Sequence, residues 1–162
     1  MIAPVQESTA PQLTRRVCRI LSAAWLRAWR QGHDSIDTGH LLLELVRERE
    51  CCAARILSEF RVTGWRIRRA MPTRLMSFAR PPNAAFVTTP ACGRALDVAA
   101  RDAADLNHPR VSAEHLLLAL LQCPGCRATR TLRNLHVQPA EVCHRLLRLL
   151  ADDAVYLGGA NK

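Results

Sequence analysis

Four histidines and one cysteine pair are the residues whose types and spacing could do metal or redox chemistry. His33 and His40 are separated by six residues, His108 and His115 repeat that spacing, and Cys123-Pro124-Gly125-Cys126 has the CxxC form of zinc sites and dithiol oxidoreductases. A zinc site of that kind needs a second CxxC pair. A thioredoxin-type motif needs a strand before it and a long helix after it, and neither context is present. The histidines flank leucine runs, so their expected role is hydrogen bonding between ring nitrogens and backbone, and no metal is assigned to them. Cys123 and Cys126 read as thiols flanking a turn, with Cys51-Cys52 in the corresponding loop earlier in the chain. Seven cysteines, an odd count, argue against a disulfide framework. Trp25 and Trp29, four residues apart on one predicted helix face, could form an aromatic shelf for a peptide, or could cover an interface within the protein. No nucleophile, base and orienting group fall into a recognisable motif, so the chain does not read as an enzyme and no cofactor is expected.

The elements that must position these residues are duplicated. Laying residue i over residue i+75 from Thr14 onward pairs Thr14 with Thr89, Leu21 with Leu96, Ala24 with Ala99, His33 with His108 and His40 with His115. It also pairs Leu41–Leu43 with Leu116–Leu118, Cys51 with Cys126, Leu57 with Leu132 and Val62 with Val137. One fixed offset held without a gap to about residue 67 marks a repeated supersecondary unit. Within each copy the apolar spacing is helical: Val17, Ile20, Leu21, Ala24 and Ala28 share a face. Thr14 and Thr89 are N-cap residues, Pro90 suits the first turn, and Gly32 and Asn107 tolerate a left-handed C-terminal turn. Asp37 and Ser112 cap a second, almost wholly apolar helix that must be buried. Shorter helices are predicted near 51–60, 63–70, 126–135 and 138–150. Nothing alternates at period two over a strand length.

The expected fold is therefore all-α: two pseudo-symmetric four-helix repeats at an offset of 75 residues. Repeat one spans 12–70 and repeat two 88–150, within a single domain over 12–150. A flexible N-terminus covers 1–11, a linker containing Pro81-Pro82 covers 71–87, and a C-terminal tail covers 151–162. Half the residues are apolar, enough for a core without staples. There is no run long enough for a membrane span and no signal-peptide pattern at the start, so a cytoplasmic protein with no membrane partner is expected. The formal charge of +9 is lopsided: residues 1–80 carry 14 Arg against 7 acids, residues 81–162 carry 9 basic against 7 acidic residues. An anionic partner would meet the first half.

The segments "QGHDSIDTGHLLLELVRERECCAARILSEFRV" and "LNHPRVSAEHLLLALLQCPGCRATRTLRNLHV", with Thr89-Pro90 opening the second copy, resemble the N-terminal Clp repeat domain of ClpC/ClpA-type AAA+ unfoldases. The likeness runs from about Leu13 to Leu150. Those unfoldases carry ATPase modules with a GxxxxGK[ST] loop, whereas the one lysine here is Lys162, so the resemblance is to the recognition domain without the motor.

That resemblance implies binding of protein substrates or adaptors and, in some members, a phosphoarginine pocket in each repeat. In such a pocket the helix-start threonine helps hold the phosphate and the glutamate of "EH" takes the guanidinium. The chemistry is that of a helix N-terminal turn facing an anion and a carboxylate facing a guanidinium fork. Carried over, repeat two supplies Thr89 and Glu114, while repeat one supplies Thr14 and Gly39, a degenerate site without a side chain to bind anything. Helix capping by the threonines, and interaction of Glu114 with its helix dipole, are the structural alternatives. The family's aromatic before each threonine is replaced by Leu13 and Thr88.

The leading functional reading is a non-enzymatic protein- or peptide-binding module of Clp-dependent proteolysis. It could be an accessory, competitor or sequestering protein whose partners are substrates, adaptors, a ClpC-type unfoldase or peptide-like small molecules. The alternative is an Arg-rich helical nucleic-acid binder resting on phosphate contacts. Against it, the arginines are scattered and no helix-turn-helix signature occurs.

Overall fold

The structure is a computed structural model that describes residues 12–48, 50–71 and 87–158, with only the backbone course of 152–158. Repeat one forms α1 (Arg15–Arg30), α2 (Thr38–Arg47), α3 (Cys52–Glu59) and α4 (Gly64–Ala70), and repeat two forms α5 (Pro90–Asp105), α6 (Ala113–Gln122), α7 (Arg127–Asn134) and α8 (Pro139–Gly158). The expected linker lies mostly outside the described residues, as do the N-terminus before residue 12 and the last four residues. The last helix continues to Gly158, so the boundary expected at residue 150 falls inside α8.

Each repeat starts and turns by the same local chemistry. The hydroxyls of Thr14 and Thr89 accept hydrogen bonds from the N–H groups of Val17 and Cys92, both at 3.3 Å, satisfying donors that helix geometry leaves unpaired. At the far ends Gly32 and Asn107 take φ of 71° and 55°, which lets His33 and His108 donate their backbone N–H to Ala28 and Ala103 at 2.8 Å. Arg61 and His136, also 75 residues apart, make the same left-handed turn in the later loops.

The core is built on α2 and α6. Leu41, Leu42, Leu43, Leu45, Leu116, Leu117 and Leu120 are all at most 1 % exposed, and the two helices belong to one continuous cluster with α1, α3, α5, α7 and α8. The doubled leucine run is thus the shared centre of both repeats.

One feature departs from the expectation of helices alone. Gln12–Leu13 (β1) pairs in parallel with Arg110–Val111 (β2), and Ile36 makes the matching bridge to Thr88. The segment before the first helix of each repeat therefore pairs with the α-to-α loop of the other. Runs of two residues are too short to leave a period-two signal. The exchange continues in the side chains: Thr38 Oγ1 of α2 accepts from Ala128 N at the start of α7 (3.2 Å), and Glu114 Oε1 of α6 accepts from Ala53 N at the start of α3 (3.3 Å). Each central helix caps a short helix of the other repeat.

Truncating the core at Leu117→Ala is expected to cost about 2–5 kcal/mol, and Thr38→Val about 1–3 kcal/mol because it strands the Ala128 N–H. Urea unfolding checks both. A Thr38→Val protein as stable as wild type would contradict the cross-repeat cap.

Candidate functional site

The exchange creates two inter-repeat junctions related by the 75-residue offset. At the first, Thr14 N donates to Val111 O (3.0 Å), three residues ahead of Glu114, whose carboxylate meets the start of α3 at Ala53. Arg16 and Cys51 belong to the same neighbourhood: burial raises the Cys51 thiol pKa, and the charges of Glu114, Arg16 and Glu48 all act on it. Arg16 Nε lies 3.6 Å from Glu48, which also pairs with Arg19 at 2.6 Å. At the second junction Thr89 N donates to Ile36 O (2.9 Å), three residues ahead of Gly39.

This grouping differs from the within-repeat sites expected from the sequence. The carboxylate of Glu114 shares its junction with Thr14, and Thr89 shares its junction with Gly39. The physical reason is the strand exchange, which sends each pre-helix threonine to the other repeat. Both threonine hydroxyls cap their own helices, and Glu114, an acid in the first turn of α6, also caps α3 across the junction.

The second junction is filled from within. A Cβ added to Gly39 would lie 2.8 Å from Arg127 Cδ and 2.8 Å from Met71 Cε, so both side chains pack into the space that a larger residue would occupy. The Arg127 guanidinium pairs with Asp37 at 3.2 Å. An arginine of the chain itself thus sits where repeat one lacks its acid. Sequence reasoning missed Arg127 and Thr38. The available signal was that Arg127 stands where repeat one has Cys52, against the glycine at 39.

The histidines are structural. Asp37 N donates to His40 Nδ1 and Ser112 N donates to His115 Nδ1, both at 3.0 Å, so in each ring the hydrogen resides on Nε2. That nitrogen faces Nδ1 of His33 (3.0 Å) or His108 (2.8 Å). The backbone N–H is the donor and the ring the acceptor, tying the loop after each first helix to the start of the second. Burial, and then the neighbouring His33, lowers the His40 pKa to about 4, and burial followed by His108 lowers that of His115.

All seven cysteines are free thiols. Cys123 and Cys126 bracket the α6–α7 turn, where Cys126 Sγ contacts Thr129 Oγ1 at 3.6 Å, and burial raises the Cys123 thiol above its ordinary range, the opposite of an activated thiolate. Among the described residues no group of three or more His, Cys, Asp or Glu side chains gathers as a metal site. Trp25 packs half-buried against the core and Trp29 is 37 % exposed beside Leu26, so one edge of the expected shelf is embedded in the fold.

The family profile "Clp repeat (R) N-terminal domain" matches residues 12–135 and 87–155, and the chain belongs to that family. It is 30 % identical over 147 residues to the chaperone protein ClpB of Oceanobacillus iheyensis, covering 91 % of this chain and 18 % of that protein. It is also 30 % identical over 142 residues to the negative regulator of genetic competence ClpC/MecB of Bacillus subtilis, covering 88 % of this chain and 17 % of the relative. The chain thus spans less than a fifth of the length of these relatives. In structure it is similar to the N-terminal domain of ClpD from Arabidopsis thaliana (TM-score 0.71, 19 % identity, 91 % and 99 % of the two chains). It is likewise similar to the Hsp104 N-terminal domain from Candida albicans (TM-score 0.69, 16 % identity, 85 % and 91 %). No helix among the described residues is long and apolar enough to cross a membrane.

The neutral histidines give a pH dependence with a definite sign. An unfolded histidine binds a proton near pH 6.5 but His40 in the fold only near pH 4. The unfolded state therefore binds more protons between these values, and stability is full above pH 6.5 and falls as the pH drops toward 4, by about 3 kcal/mol for His40 alone. Urea midpoints at pH 7.5 and pH 5 check this. The wild type is expected to lose stability at pH 5, and His40→Gln to be weaker at neutral pH with a shallower acid slope. A wild type equally stable at both pH values would contradict it.

Proposed function

We propose that the chain is a non-catalytic recognition domain of Clp-dependent proteolysis that binds protein substrates or adaptors. The supporting observations are its membership of the Clp repeat family and its likeness to the ClpB and ClpC/MecB N-terminal regions. We further propose that one arginine-directed pocket operates, at the junction that holds Glu114 and Thr14. The single observation that carries this pocket is the contrast between the two junctions. One has a carboxylate, Glu114, whose Oε1 takes a single backbone N–H, leaving acceptor capacity for a guanidinium fork. The other has no acid at Gly39 and is occupied by Arg127. On this reading Thr89 serves its helix and Thr14 lies on the phosphate side. The Trp29 edge is proposed as an accessory peptide contact. An accessory, competing or sequestering role toward a ClpC-type unfoldase is compatible with such a domain, as is uptake of peptide-like small molecules.

Calorimetric titration with free phosphoarginine tests the pocket. Glu114→Gln keeps an oxygen for Ala53 N but removes the charge, so affinity is expected to fall tenfold or more while the melting temperature shifts by no more than about 2 °C. Equal binding by wild type and Glu114→Gln would overturn the pocket. A pull-down from native lysate that returned neither Clp components nor unfolded or phosphorylated proteins would overturn the wider reading.

A further inference from the structure

The C-terminal end of α2, α3 and the α3–α4 turn enclose an open groove of about 650 Å³. Its floor is apolar: Ala54 and Val62 are buried and Val46 is half-buried. Its rim carries three exposed arginines, Arg47, Arg55 and Arg68, and the indole of Trp65, which is 61 % exposed. Arg69 stacks over that indole at 5.5 Å, adding a fourth cation beside the wall.

The arginines of this region divide by what they touch. Arg66 is committed to the fold, donating to the carbonyls of Arg61 (2.8 Å) and Leu135 (3.3 Å). Arg47 leans on Glu44 at 3.5 Å, but that glutamate is shared with Arg27. Arg55 and Arg68 have no ion-pair partner among the described residues. Between residues 46 and 71 the chain holds seven arginines against Glu48, Glu50 and Glu59, and Glu48 and Glu59 are themselves paired with Arg19 and Arg145.

Repeat two supplies an internal control, because the same backbone unit is built there with a different lining. Arg47, Trp65 and Arg68 correspond to Gln122, Ala140 and Cys143, while Arg55 corresponds to Arg130 and the floor residue Val62 to Val137. The unit folds there with only Arg130 of that rim, so Arg47, Trp65 and Arg68 are not demanded by the fold. The guanidinium groups gathered beside this exposed tryptophan repel one another, and a bound anion would relieve that repulsion.

We propose that this groove is a second recognition site, which takes an acidic peptide segment of a partner protein: carboxylates on Arg55, Arg68 and Arg47, and an apolar side chain between them against Trp65 and the Val46–Val62 floor. The shape favours a peptide over a nucleic acid. The site is a short concave pocket with an apolar floor, whereas a phosphate backbone needs an extended basic track. The lining includes neither Glu114 nor Thr14, although Ala54 adjoins the Ala53 that Glu114 caps.

Fluorescence polarisation on the full 162-residue chain tests the proposal with three labelled probes: the peptide Glu-Asp-Leu-Glu-Asp, its Gln-Asn-Leu-Gln-Asn counterpart, and a single-stranded DNA pentamer. The acidic peptide is expected to bind, the amide peptide at least tenfold more weakly, and binding to weaken from 50 to 200 mM salt. Arg55→Glu and Arg68→Glu should each cost tenfold or more, and Trp65→Ala several-fold, whereas Arg130→Glu in repeat two should stay within twofold. Arg55→Gln, together with a melting curve for each variant, separates loss of binding from loss of fold. Excess phosphoarginine should not displace the peptide. Oligonucleotide binding as tight as that of the acidic peptide, no binding of that peptide, equal binding by the groove variants, or equal sensitivity to Arg130→Glu would each overturn the proposal.

Discussion

The reciprocal exchange between the repeats is the constraint on which the rest of the structure depends. Thr14 N bonds to Val111 O and Thr89 N to Ile36 O, while Glu114 and Thr38 cap the short helices of the opposite repeat. Neither half can satisfy these backbone groups alone, since a helix start needs external acceptors for its first N–H groups. The leucine runs of α2 and α6 supply the burial energy, but burial is non-directional. It is the crossed hydrogen bonds that fix which loop meets which helix, and so decide which candidate residues become neighbours.

Duplication also gives a way to separate structure from function. Features kept at both copies, such as the threonine caps, the left-handed turns and the histidine pairs, answer to the fold, because each satisfies the same backbone need twice. Features present once stand free of that need. Glu114 against Gly39, Arg127 against Cys52, and Trp65 against Ala140 are of this kind. Two solutions to one capping problem illustrate the freedom: a carboxylate holds Ala53 N, whereas a hydroxyl one residue earlier in the helix holds Ala128 N. Once Thr38 caps α7, position 39 is released to be glycine, and Arg127 and Met71 fill the space.

Most of the fold was legible in the sequence because its signals are local or periodic. The offset of 75 residues, the helical spacing of Val17, Ile20 and Ala24, and the caps at Thr14 and Thr89 all survive as expected. The strand exchange was not legible, since pairings of two residues leave no pattern and depend on contacts about a hundred residues apart. For the same reason the sequence suggested Thr89 with Glu114, while the structure sets Thr14 by Glu114 and Thr89 by Gly39. The arginine excess of the first half was visible as charge alone. Its concentration at Arg47, Arg55 and Arg68 around one groove needed the packing of α2, α3 and α4.

We propose that the two junctions, alike in backbone, differ in use: the Glu114 junction receives an arginine-type ligand, whereas the Gly39 junction is filled by the chain's own Arg127. Amide-resolved NMR during a phosphoarginine titration tests it most directly. Progressive shifts are expected at Ala53, Thr14 and Glu114, with Ala128, Thr89 and Gly39 unmoved. Shifts centred on Ala128 and Thr89, or equal shifts at both junctions, would contradict it.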